Sequence, residues 1–170
     1  MRLVTPALIG SVLLAALSTV ADYIWFLDIP RHQVMSGSIH GASLFAALGG
    51  YLGWRKGKAG IGLAGGLLSG VVAALSFYAL APIGGYNMML VSWLLLWIML
   101  AALQTYLDGR LDLARAVGRG IITAIVAAAG FAIVLFQLYR QWPPESFSAI
   151  RHFAAWTIAY LPGLYVLLRR

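Results

Sequence analysis

The chain has 170 residues, 62% of them hydrophobic and 10% charged, with a mean hydropathy of +0.88. A soluble domain of that composition would expose large apolar surfaces to water, so the solvent is lipid and little chain is left for a folded domain outside it. The net charge of +7 comes from basic residues set between apolar runs rather than gathered in one patch, which argues against nucleic-acid binding; the absence of cysteine excludes disulfides, thiolate catalysis and thiolate metal sites.

A hydrocarbon core about 30 Å thick takes about 20 helical residues. Six runs approach that length, at 6–27, 36–54, 61–81, 86–106, 116–139 and 148–168. They are separated by Pro30, by Arg55-Lys56-Gly57-Lys58, by Pro82 with Gly84-Gly85, by Asp108-Gly109-Arg110 and by Trp142-Pro143-Pro144. The expected fold is all-α, a polytopic membrane protein with a six-helix transmembrane bundle as a single domain over 1–170. Thr19-Val20-Ala21 also fits a signal-peptidase site, but the first run continues apolar through Leu27 and is long enough to span.

Threading six spans puts Arg2, Arg55, Lys56, Lys58, Arg110, Arg115, Arg119, Arg169 and Arg170 on one side, and Arg31, Arg140 and Arg151 on the other. The positive-inside rule makes the first side cytoplasmic, with both termini there. Trp25, Trp54, Tyr139 and Trp142 near span ends read as the aromatic interface belt.

Small residues at helical spacing mark faces where helices approach closely in lipid. In chain order these are Ser11, Ala15 and Ser18 leading to Asp22 in the first span, and Ser36, His40, Ser43, Ala47 and Gly50 in the second. Gly62, Gly66, Gly70 and Ala74 follow in the third, and Thr123, Ala127, Gly130 and Gln137 in the fifth. The stripe in the second span predicts that His40 and its serines face other helices.

Under this topology Asp22, Asp28, Arg31, His32, His40, Glu145, Arg151 and His152 share the outer level. A carboxylate more than a turn inside its span needs a cation or a strong donor, and His40 and Arg151 are the expected partners of Asp22. Three outcomes stay open: a structural ion pair between the first and last helices, a pocket for a lipid head group, or a catalytic dyad. In the last, Asp22 would orient His40 as general base toward Ser36 or Ser43. The histidines have no diagnostic metal spacing, and no metal or cofactor is expected.

From the fourth run onward the chain resembles the insulin-induced gene (Insig) family of six-helix membrane proteins and its bacterial relatives. The resemblance is carried by Tyr106-Leu107-Asp108-Gly109-Arg110, by Phe136-Gln137 in reversed order, and by Glu145-Ser146-Phe147-Ser148-Ala149-Ile150-Arg151. Spans one to three carry no family motif, and the family's Gly-Asn-Ile-Gly-Arg ending is absent. The resemblance implies a non-catalytic bundle holding a sterol or diacylglycerol-like lipid, with Asp108 as a contact for a partner membrane protein, in a bacterial inner membrane. Ala7, Ser11, Ala15 and Thr19 are in turn similar to the docking alanines in substrate-binding subunits of energy-coupling-factor vitamin transporters.

The expected function is therefore binding of a lipid or other amphiphile between helices, without catalysis. Asp22, His40 and Arg151 form the polar end, with Ser36, Ser43 and His152 beside them. A vitamin-type transporter subunit and an intramembrane lipid esterase or phosphatase are the alternatives.

Overall fold

A computed structural model of the chain describes residues 4–26, 33–110, 112–138 and 148–169. The described residues hold six α-helices and no strand: α1 (Val4–Phe26), α2 (Gln33–Trp54), α3 (Ala59–Gly84), α4 (Met89–Leu107), α5 (Leu113–Leu138) and α6 (Ala149–Leu168), with a 3-10 turn at Gly85–Met88 leading into α4. The fold is all-α, as the apolar runs predict. Four segments are long and apolar enough to cross a membrane: Val4–Ile24, Ala59–Gly84, Met89–Leu107 and Leu113–Gly130. The remaining two helices, α2 and α6, carry more polar residues, including Ser36, Ser38, His40 and Ser43 in one and Arg151, His152 and Thr157 in the other.

Two compact units emerge. One comprises 1–31 with 125–170, the other 32–124, so the boundary falls within α5.

In the second unit α2 and α3 form an antiparallel hairpin. Gly37 sits against Tyr78, Gly41 against Gly70 and Ala74, and Gly49 and Gly53 against Gly62. Between them the Phe45 carbonyl meets Gly66. These contacts step by four residues along each helix in opposite directions, and the backbones approach closely from Gly41 to Gly53. A Cβ on Gly49 or Gly62 would collide with the backbone of the other helix. Close backbone approach substitutes for the hydrophobic drive that lipid cannot supply.

This register corrects the expectation for α2. Its packed face is Gly37, Gly41, Phe45, Gly49 and Gly53, flanked by buried Leu44, Leu48 and Leu52. Ser36, His40, Ser43, Ala47 and Gly50 lie roughly half a turn round the helix from it. Ser43 is exposed and the others are half-buried, with His40 Nε2 enclosed as the polar stripe predicts. The glycine ridge of α3 is buried at Gly62, Gly66 and Gly70, as its spacing predicts.

Both α2 and α4 end in a Schellman turn. Lys58 N–H reaches the Gly53 carbonyl while Gly57, at φ 70°, bonds back to Trp54; Arg110 N–H reaches Thr105 while Gly109, at φ 74°, bonds back to Tyr106. The two turns meet: Lys56 Nζ pairs with Asp108 Oδ1 at 2.5 Å, and Lys58 Nζ donates to the Leu107 carbonyl at 3.3 Å. A cation on the last carbonyls of α4 also suits the negative end of that helix. Further along, Ser76 Oγ donates to Ser92 Oγ at 2.9 Å between α3 and α4, and Trp93 Nε1 donates to the Ala124 carbonyl at 3.3 Å.

Candidate functional site

The polar cluster of the first unit lies between α1 and α6. Ser11, Ser18 and Asp22 share a face of α1 at offsets of seven and four, and His152, Trp156 and Tyr160 share a face of α6 at successive fourth positions. The two helices run antiparallel and these stripes meet. Tyr160 and Ser18 exchange a hydroxyl hydrogen bond at 3.1 Å. Trp156 Nε1 donates to Asp22 Oδ2 at 2.6 Å, and His152 Nδ1 donates to the same oxygen at 3.0 Å. The indole of Trp156 stacks on the Tyr160 ring, with centroids 5.3 Å apart and planes 17° apart.

Both donors converge on one carboxylate oxygen. Among the described residues none bonds to Asp22 Oδ1, and the side chain keeps 19% of its surface exposed. His152 is nearly enclosed at 4%. A carboxylate has about four lone-pair positions, so this geometry leaves acceptor capacity on Oδ1. Below the cluster Gly130 lets α5 approach the Ile158 and Ala159 carbonyls closely; Ile158 is the residue whose helical donor Pro162 removes.

The partners of Asp22 differ from those expected. Arg151 precedes His152 by one residue, hence points about 100° round α6, and its side chain is exposed. The neighbouring face brings imidazole and indole donors to the carboxylate instead. His40, Ser36 and Ser43 belong to the other unit. Of the expected polar end, the structure brings together Asp22 and His152. Trp156 and Tyr160 were not foreseen; the fourth-position spacing from His152 was the available clue.

Asp108 sits in the second unit with its side chain 14% exposed, held by Lys56 and by Gln104 Nε2 at 3.3 Å. Asp28, Arg31, His32, Arg140 and Glu145 lie outside the described residues, as does the side chain of Gln137. The described residues contain no group of three or more His, Cys, Asp or Glu placed to hold a metal ion. Ala7, Ser11, Ala15 and Thr19, the ridge similar to a transporter docking face, are all buried.

No family model matches the chain, and comparison with curated proteins and with solved structures returns no match.

Proposed function

We propose that this chain binds an amphiphile at the α1–α6 face, with Asp22, His152 and Trp156 holding the polar head, as a multi-pass protein of a bacterial inner membrane. The observation that carries this reading is the division of labour on Asp22: Oδ2 takes two protein donors while Oδ1 takes none among the described residues, on a side chain that keeps 19% of its surface exposed. A purely structural use of the carboxylate would be better served by spreading the donors over both oxygens. In a low-dielectric surrounding, an ionisable group with spare capacity favours a ligand or a pathway over simple packing. Arg151, exposed in the first turn of α6, supplies a cation next to His152 in sequence for a phosphate on the same head group.

Native mass spectrometry of the detergent-purified protein, with lipid extraction, tests this. One lipid class at one per chain, lost in Asp22→Asn, supports it. A folded protein that carries no specific lipid sinks it.

One observation favours a second reading. A carboxylate on Nδ1 fixes the imidazole tautomer that leaves Nε2 as a base, the arrangement used in acyl-transfer dyads. Hydrolysis of a lipid ester or phosphate that disappears in His152→Ala would establish it. Enclosure of His152 and engagement of the Ser18 hydroxyl by Tyr160 weigh against it. The Insig-like resemblance would give Asp108 to a protein partner, but its carboxylate already holds Lys56.

A further inference from the structure

We infer that the head group taken at Asp22 is a primary ammonium; this rests on the proposal that the α1–α6 face binds an amphiphile. Asp22 Oδ1 is an acceptor, and the groups bonded to its twin Oδ2 are the indole and imidazole N–H donors. A carboxyl group with an open acceptor position in a low-dielectric surrounding gains most from a ligand that brings positive charge as well as a donor. Arg151, the cation beside His152 in sequence, is exposed on α6, and among the described residues it forms no ion pair with Asp22. The Ser18 hydroxyl, one turn along α1, is engaged by Tyr160.

These facts rank the common head groups. A phosphodiester or a carboxylate head offers only acceptors, and its charge is repelled by Asp22. A glycerol or sugar hydroxyl can donate but brings no charge. A trimethylammonium brings charge without an N–H. A primary ammonium brings three N–H donors and the charge together, which makes its contact with a carboxylate oxygen charge-assisted. The order of affinity at this site is therefore primary ammonium, then quaternary ammonium, then anionic head groups.

The test is lipid competition read by native mass spectrometry on the full-length protein. Phosphatidylethanolamine, its N-monomethyl and N,N-dimethyl derivatives, phosphatidylcholine and phosphatidylglycerol are offered in equal amounts with the same acyl chains. For the wild type, retention should fall stepwise as N–H groups are lost, by at least about tenfold between the first lipid and phosphatidylglycerol. In Asp22→Asn that ratio should collapse toward one. The methylation series on wild type alone keeps the inference testable if the variant fails to fold. Phosphatidylglycerol retained as well as or better than phosphatidylethanolamine, or a ranking unchanged in folded Asp22→Asn, overturns the ammonium assignment while leaving amphiphile binding intact. Failure of every lipid to bind overturns both. A final arm adds free ethanolamine: displacement of phosphatidylethanolamine assigns the site to the ammonium from any source, and persistence of the lipid assigns it to the ammonium of a membrane lipid.

Discussion

Asp22 and Trp156 are joined by a short side-chain hydrogen bond between α1 and α6, with indole Nε1 2.6 Å from carboxylate Oδ2. A hydrogen bond from an indole N–H to a carboxyl oxygen contributes on the order of 1–2 kcal/mol when measured by removal of one partner. Trp156→Phe keeps a ring beside Tyr160 and deletes the donor together with part of the indole's volume. Its unfolding free energy in mixed micelles should fall by about 1–2 kcal/mol, since His152 still bonds to Oδ2. An unchanged value would mean that the contact is not formed in the embedded protein.

The glycines of α2 and α3 divide into two classes by what a methyl group would meet. At Gly49 the added Cβ runs into the Gly62 carbonyl and the Gly66 backbone, and backbone cannot step aside without parting the helices. Gly49→Ala and Gly62→Ala should each cost about 1–3 kcal/mol, the usual range for overpacking a tight contact. At Gly60, in the first turn of α3, nothing lies within 4 Å of the new atom. Gly60→Ala should stabilise by about 0.5–1 kcal/mol through helix propensity alone. Parallel denaturation curves of the three variants separate contact from propensity; equal effects at Gly49 and Gly60 would contradict the hairpin register.

Lys56 and Asp108 tie the end of the α2–α3 hairpin to the end of α4 across a short ion pair. Their side chains are 22% and 14% exposed, so solvent screens part of the attraction. A double-mutant cycle with Lys56→Met and Asp108→Asn should give a coupling energy of about 0.5–1 kcal/mol, and it should shrink as salt is raised. No coupling at low salt would free Asp108 for the partner contact that the Insig-like resemblance implies.

The legibility of this chain varied with the physics at stake. Helix positions could be read because apolar length and breaker residues fix them, and the stripe of α1 because Ser11, Ala15 and Ser18 are small at helical spacing and all three are buried. The closest-packed face of α2 is harder to read because two stripes compete there, one polar, with His40 Nε2 enclosed, and one of glycine. In lipid, a hydroxyl need not seek another helix; Ser38 Oγ simply donates back to the Val34 carbonyl at 2.7 Å. The demand that decides the face is backbone approach, and glycine alone meets it. The partner of Asp22 was missed for a related reason. A search for opposite charge finds Arg151, whereas helical spacing places the imidazole of His152 and the indole of Trp156 on the facing side, and two N–H donors meet one carboxylate oxygen.

The same logic separates two buried threonines. Thr105 Oγ1 donates to the Ala101 carbonyl at 2.8 Å, so its hydroxyl is satisfied inside its own helix. Thr123 is fully buried in α5, and its Oγ1 finds no hydrogen-bond partner among the described residues. Valine matches threonine in shape and lacks the hydroxyl. Thr105→Val gives up a bond already made and should be neutral or lower stability by about 0.5–1 kcal/mol. Thr123→Val gives up only the cost of burying an unmet polar group and should raise stability by about 1 kcal/mol. Opposite signs in paired unfolding curves are the expected result. A loss at Thr123 comparable to that at Thr105 would show that the hydroxyl has a partner in the membrane-embedded protein, and would direct attention to the contact between α4 and α5, where Trp93 reaches the Ala124 carbonyl one residue away.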